Sequence, residues 1–182
     1  YARDAIAEAL GGPRATRPVG TWTEVFGATF VTLRRDGMLH GCIGTIEARR
    51  PLADDVGLNA VSAALLDPRA PPIDLDDLAD LSLELSVLSA LSPIAFADEP
   101  SAIAALEPGV DGVVIRVAGR QGTFLPQVWR ELPDPVDFFT ELKMKAGLPS
   151  DYWSPDVRLF RYTLHKWSDP PRRVAAAGAD LA

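Results

Sequence analysis

The fold of this chain is decided around one nine-residue stretch, Met38-Leu39-His40-Gly41-Cys42-Ile43-Gly44-Thr45-Ile46. The dipeptide Asp36-Gly37 just before it is a turn signal, which predicts that the stretch is the second strand of a hairpin. A period of two residues then puts His40 and Cys42 on one face of this strand. Glycine weakens a strand and packs nothing, so the two glycines beside the cysteine indicate a bulge, or the close approach of another backbone or a ligand.

The rest of the chain alternates between helical and strand patterns. Along the sequence, the predicted strands either form hairpins or are separated by helices. This order predicts an α+β fold with a largely antiparallel sheet flanked by helices. The predicted helices cover 2–10, 51–66, 101–106 and 135–146, with a short helix from an Asp74 cap through 78; the predicted strands cover 25–33, 38–46, 81–89, 112–118, 123–125 and 158–167.

At 182 residues the chain has the length of one domain, or of one domain with a subordinate lobe. We predict one domain over residues 1–168, made of a larger subdomain and a smaller lobe, and a mobile tail over 169–182. The proline-rich loop at 67–72 and the second hairpin at 112–125 are candidates for the minor lobe. The chain starts inside a predicted helix without Met, which leaves open whether a segment precedes it.

Charge and cysteine content exclude several function classes. The formal net charge is −7 and no basic run exceeds two residues, so nucleic acid and anionic membranes are not expected as main partners. A single cysteine excludes an internal disulfide and multi-cysteine metal sites, and it suits a reducing, cytoplasmic location. The sequence also lacks the glycine-rich phosphate loop, the dinucleotide fingerprint and the serine-hydrolase elbow, which argues against those three chemistries.

Four short motifs carry a family resemblance. They are Leu39 to Thr45, Asp67-Pro68-Arg69 with Pro71-Pro72, Leu125 to Val128, and Lys145 to Leu148 with Trp153. In this order and spacing they resemble the AMMECR1 domain, over roughly residues 1–167. The resemblance implies an α+β fold of two subdomains with the cysteine segment near their junction, where clefts tend to form. It also implies a MEMO-like protein and a radical S-adenosylmethionine protein as partners.

The chain departs from that family pattern at two positions. His40 stands where the family usually has Arg, and Ala70 stands where it usually has an aromatic residue. A guanidinium would favour a neighbouring thiolate at every pH, whereas His40 would do so only while protonated. A thiolate site at Cys42 is therefore expected to be weaker or more pH-sensitive in this chain, and the loop around Ala70 roomier or less ordered.

The candidate catalytic residues are Cys42 and His40, in a cleft that would bind a small molecule or a peptide end. Cys42 would be the nucleophile or covalent carrier and His40 its proton partner, with backbone amides beside Gly41 and Gly44 as oxyanion donors. The alternative for Cys42 is a small buried hydrophobe, which is common for a free cysteine. The protein would then be a non-catalytic interaction module.

Further candidate binding residues are Thr45, Asp67, Arg69, Glu84 and Gln127. Glu84 would act as a general base if buried, but a solvated strand face explains it equally. Asp67 and Arg69 could contact substrate or simply fix the proline-rich loop, and the Gln127 amide could serve a ligand or local backbone. The sequence predicts no metal site and identifies no cofactor.

Overall fold

Helices and short strands alternate through residues 1–172, the part of the chain that this computed structural model describes. The helices are α1 (Ala2–Ala9), α2 (Leu52–Leu65), α3 (Glu99–Ala104) and α4 (Pro135–Lys145). The strands are β1 (Phe26–Gly27), β2 (Thr29–Arg35), β3 (Met38–Gly44), β4 (Arg50–Pro51), β5 (Leu81–Leu88), β6 (Ser92–Pro93), β7 (Gly112–Val117), β8 (Arg120–Phe124), β9 (Arg158–Tyr162) and β10 (Leu164–Asp169). Antiparallel pairing in both larger sheets confirms the α+β prediction.

The chain divides into two compact units. Unit 1 contains residues 1–87 and the chain from 166 onward, and unit 2 contains residues 88–165. Unit 1 holds a four-stranded sheet in the order β10-β5-β2-β3 and the small β1–β4 pair, while unit 2 holds a four-stranded sheet in the order β6-β9-β7-β8. The proline-rich loop therefore belongs to unit 1 and the second hairpin to unit 2, so they do not form one lobe.

In unit 1, α2 packs closely on β2 and β3. Ala60 and Ala63 on its inner face are buried, as is Val31 of β2 beneath it. Small side chains bring the helix backbone so near the sheet that a Cβ atom on Gly41 would lie 2.1 Å from the Ala63 carbonyl oxygen. The predicted close approach of another backbone at this glycine is confirmed, and its partner is a helix.

In unit 2, α4 supplies the centre of a separate hydrophobic core. The side chain of Asp134 accepts hydrogen bonds from the first-turn N–H groups of Val136 and Asp137, and Pro135 fits the first helical position, as the sequence predicts. Phe138 and Phe139 are then fully buried. These residues stabilise unit 2 through packing.

The last predicted strand is wrong in one respect. Residues 158–167 read as one continuous alternating segment, but the chain breaks at Thr163 into β9, which joins the unit 2 sheet, and β10, which joins the unit 1 sheet. Because alternation depends only on exposure along one strand, it cannot reveal that two halves pair with different sheets.

Two further findings concern the chain ends and membranes. Beyond β10, the Arg172 backbone N–H donates to Ala79 O at 2.8 Å. The rest of the predicted tail, 173–182, lies outside the described residues. Across residues 1–172, no helix combines the length and the apolar character needed to cross a membrane.

Candidate functional site

Cys42 lies on β3, the edge strand of the unit 1 sheet, directly opposite Thr32 of β2. Its side chain is half-buried, and its Sγ accepts a hydrogen bond from Thr32 Oγ1 at 3.3 Å. Thr32 itself is only 5% exposed. The thiol is therefore neither sealed in hydrocarbon nor fully solvated.

The outer edge of β3 is capped at Cys42 by two side chains from the proline-rich loop. Asp67 Oδ2 accepts from the Cys42 backbone N–H at 2.7 Å, and Arg69 Nη2 donates to the Cys42 carbonyl oxygen at 2.8 Å. Arg69 Nε also donates to Asp67 Oδ1 at 2.8 Å. The pair takes the place of a neighbouring strand, which prevents further strand pairing at this position.

The same pair sets the electrostatics beside the thiol. The Arg69 hydrogen bond, helped by the backbone N–H groups of Cys42 and Arg69, holds the pKa of the buried Asp67 carboxyl far below its usual range. The pKa of Arg69 is raised chiefly by Asp67 and further by the Cys42 thiol. Arg69, whose side chain remains 54% exposed, is therefore a cation next to Cys42.

His40 takes a different position because β3 carries an irregularity. Leu33 pairs with Gly41 while Arg34 pairs with Leu39, so His40 is an extra residue between the two pairs. The alternation that put His40 on the face of Cys42 is interrupted there.

The charged neighbour of His40 in the structure is Asp77. The pKa of Asp77 is lowered first by the Asp74 backbone N–H, then by Arg35 and least by His40. His40 Nε2 is buried and has no hydrogen-bond partner within residues 1–172. Its role as proton partner of Cys42 stays a prediction.

Glu84 extends the cysteine site into a row across the sheet. Thr32 pairs in register with Cys42 on one side and with Glu84 of β5 on the other, so the three residues lie side by side on three adjacent strands. Lys166 Nζ of β10 donates to Glu84 Oε1 at 2.9 Å. Glu84 is 29% exposed and already ion-paired, which favours the solvated strand face over a buried general base.

A second buried carboxylate, Asp55, organises the other end of the strand. Thr45 Oγ1 lies 2.9 and 2.8 Å from the two Asp55 carboxylate oxygens, and Thr29 donates to Asp55 Oδ2 from its N–H and its hydroxyl, each at 2.8 Å. Asn59 Nδ2 adds a donor at 2.9 Å, and Arg50 Nε lies 3.4 Å away. The Thr45 hydroxyl therefore helps to hold strand to helix.

Asp55 is not among the candidate residues that the sequence indicates. A signal was present: Asp55 and Asn59 are four residues apart in α2, so they share a face with its buried alanines.

The glycine and glutamine candidates are placed as follows. A Cβ on Gly44 would lie 2.3 Å from Phe30 Cγ, so this glycine makes room for an aromatic ring. The amides that directly follow Gly41 and Gly44 donate to Asp67 and to Thr29 O, so neither serves as an oxyanion donor. Gln127 is half-buried in a 3-10 turn (Pro126–Arg130) of unit 2. Within residues 1–172, no three His, Cys, Asp or Glu side chains form a group able to hold a metal ion.

Comparison with known proteins places this chain in a family. The AMMECR1 family model matches residues 1–167. A protein of Methanothermobacter thermautotrophicus is 40% identical over 169 residues, covering 88% of this chain and 86% of its own, and one of Thermotoga maritima is 37% identical over 141 residues, covering 76% and 75%. The crystal structure of the uncharacterized protein PH0010 from Pyrococcus horikoshii superposes with a TM-score of 0.82 at 32% identity, covering 94% of this chain and 89% of that one. The chain belongs to the AMMECR1 family.

Proposed function

We propose that this AMMECR1-family domain uses Cys42 and Arg69 as a thiol site that binds a small molecule or a peptide end. The observation that carries the proposal is the position of Arg69, which donates to the Cys42 carbonyl oxygen at 2.8 Å and whose pKa the thiol helps to raise. A thiolate is the reactive form of cysteine, and a fixed neighbouring cation stabilises it. Cys42 would then act as nucleophile or covalent carrier.

Asp67 acts in this proposal as a positioning residue. It holds Arg69 through hydrogen bonds to Nε and Nη2 at 2.8 and 2.5 Å, while its buried carboxylate is itself fixed by the Cys42 N–H. Bidentate pairing of this kind fixes the guanidinium plane as well as its distance. The cation thus keeps its place beside the thiol even though half of its surface faces solvent.

The test is the rate of Cys42 alkylation by iodoacetamide between pH 6 and 9. We expect the Arg69→Gln variant to react roughly fivefold more slowly at pH 7, because the thiolate loses its cation. Arg49→Gln is the matched control, since Arg49 is an exposed arginine that pairs with Glu47. Equal rates in the wild type and Arg69→Gln, or a thiol inert up to pH 9, would rule out this function.

The competing function is a non-catalytic interaction module in which Cys42 is structural. It is favoured by the apolar side chains that unit 1 leaves in solvent, with Val19 98%, Val25 61% and Phe26 59% exposed. A Cys42→Ser variant that folds normally and still binds its partner would support this alternative. The partners implied by the family resemblance, a MEMO-like protein and a radical S-adenosylmethionine protein, are the first candidates for a binding assay under the reducing conditions of the cytoplasm.

A further inference from the structure

The unit 1 sheet carries an open apolar cavity on the face opposite to the Cys42 row. One helix about 10 Å across covers only about two strands spaced about 4.8 Å apart. Here α2 packs on β2 and β3, and a cavity of about 720 Å³ lies over the other half of the sheet. Its floor is made by Leu83, Leu85 and Val87 of β5.

Exposure along β5 shows that this face is open. Leu81 and Leu83 are buried as the alternation predicts, but Leu85 and Val87 are only half-buried, whereas Ser86 on the opposite face is 2% exposed. Apolar side chains that stay partly in water are unfavourable for folding alone, and a group of them is typical of a ligand-binding groove. A volume of this size is typical of a pocket for a small organic molecule.

Two tryptophans stand at this cavity and both remain in contact with solvent. Trp22 is 47% exposed and Trp167 is 56% exposed. Trp22 is held by a local turn, in which Thr23 Oγ1 donates to Gly20 O at 2.7 Å. A Cβ on Gly20 would lie 2.9 Å from the Trp22 indole nitrogen, so the glycine makes room for the ring at the cavity. Indoles offer a large rigid apolar surface to a ligand at low entropic cost.

Among the described residues, the side-chain charges of Arg3, Asp169 and Arg172 at the cavity add to one positive charge. Arg3 is buried and its donors are satisfied by Asp169 Oδ2 at 2.6 Å, Leu78 O at 2.6 Å and Leu81 O at 2.9 Å, so Arg3 and Asp169 neutralise each other. Arg172 also lines the cavity, is exposed, and its guanidinium has no hydrogen bond or ion pair within residues 1–172. An apolar cavity with one remaining cation is complementary to an apolar molecule that carries one anionic group.

We propose that this cavity binds a small amphipathic carboxylate, with its apolar body between Trp22 and Trp167 over Leu85 and its carboxylate at Arg172. The site is separate from the thiol and independent of its chemistry. An occupant of this class removes the exposed leucine and indole surfaces from water and pairs the remaining guanidinium.

The test is isothermal titration calorimetry of the full chain with three eight-carbon probes: octanoate, octanol and octylamine. We expect octanoate to bind at one site per chain, more tightly than octanol, and octylamine most weakly. Arg172→Gln should weaken octanoate about fivefold, the limit for an exposed ion pair, and leave octanol unchanged. Arg14→Gln, at an arginine that is 93% exposed and does not line the cavity, should leave all three unchanged.

Leu85→Trp tests the location, because the indole would fill the floor of the cavity. The variant should lose at least tenfold in octanoate affinity while keeping the wild-type circular dichroism spectrum, and Cys42→Ser should bind as the wild type does. The proposal is overturned if no probe binds, if octylamine binds as tightly as octanoate, or if folded Leu85→Trp or Arg172→Gln binds octanoate unchanged. It is equally overturned if sedimentation shows a dimer that Leu85→Trp dissociates, since a second copy would then occupy the face.

Discussion

Asp55 and Asp67 are two buried carboxylates near opposite ends of α2, and unit 1 satisfies them in different ways. Asp55 is surrounded mainly by neutral donors from Thr29, Thr45 and Asn59. Asp67 is held by a guanidinium, that of Arg69. The first arrangement is closed and ties two strands to a helix. The second leaves a half-exposed cation next to a thiol, and the proposed thiol site depends on this arrangement.

The largest effect on the free energy of unfolding is expected from Asp55→Ala. This change leaves the Thr29 N–H and the hydroxyl and amide donors around it buried without an acceptor, which should lower the free energy of unfolding by about 4 kcal/mol. Urea denaturation measures it. Asp54→Ala is the neighbouring control, because Asp54 is 40% exposed and pairs with solvent-facing Arg17; its loss should stay below about 1 kcal/mol. Equal losses in the two variants would contradict the comparison.

Gly41→Ala should disturb the hydrogen bonds of Asp67 to β3 by adding a Cβ atom between β3 and the end of α2. The added Cβ would lie 2.1 Å from Ala63 O and 3.5 Å from Asp67 Cβ, so the end of α2 must move away from β3. We expect a loss of about 3 kcal/mol in the free energy of unfolding.

Gly57→Ala is the matched control for Gly41→Ala. Its Cβ would meet the Tyr1 side chain at 3.1 Å, and alanine favours the helix, so the change should be within about 1 kcal/mol. A Gly41→Ala protein as stable as the wild type would show that the close contact between α2 and β3 is not essential.

Asp67→Asn removes the charge of this carboxylate and keeps the shape of the side chain. We expect a loss of about 2 kcal/mol at pH 7, because the hydrogen bonds to Arg69 and to the Cys42 N–H lose a charged acceptor. The folded-state pKa of Asp67 is lowered by Arg69, so its stabilisation is fully present above the ordinary aspartate value of about 3.9 and declines as the pH falls below it.

Urea denaturation of the wild type and Asp67→Asn at pH 7, 5 and 3 tests the sign of this linkage. The stability difference between the two proteins should be equal at pH 7 and 5 and smaller at pH 3. A difference that is constant over the three pH values would mean that the carboxylate charge contributes nothing to folding.

The smallest effect on the free energy of unfolding is expected at Glu84, a carboxylate that is partly exposed as well as ion-paired. Because Glu84 and Lys166 are 29% and 37% exposed, their coupling in a double-mutant cycle of Glu84→Gln and Lys166→Gln should be about 0.5 kcal/mol and should weaken in 1 M salt. A coupling above about 2 kcal/mol would mean that burial does not explain the difference between Asp55 and Asp67 on one side and Glu84 on the other.

Local patterns predicted the elements well where one periodicity and one stop signal agreed. The hairpin turn at Asp36-Gly37 forms with both residues at positive φ, 50° and 79°, and α4 starts at the Asp134-Pro135 cap. Asp67 and Arg69 were expected to fix the proline-rich loop or to contact substrate. They do the first by capping the Cys42 edge of β3, and that cap is what brings a cation to the thiol.

Positions that depend on a second strand or on a packed helix could not be predicted in this way. Continuous alternation along β3 predicts His40 on the face of Cys42, and only the pairing with β2 introduces the irregularity. The buried site at Asp55 could not be predicted because its donors Thr29 and Thr45 come from other segments of the chain. The break at Thr163 was missed for the same reason.

The sequence by itself determined the helices and most of the longer strands, the turn that joins β2 to β3, the single thiol and the family, because these depend on neighbouring residues or on short motifs. Tertiary structure alone decided that Arg69 lies beside Cys42, that Gly41 makes room for α2, and that an apolar cavity lies over β5. The physical reason is that hydrogen bonds, charge pairs and packing act over a few ångströms in space, and folding brings residues within that range irrespective of their separation along the chain.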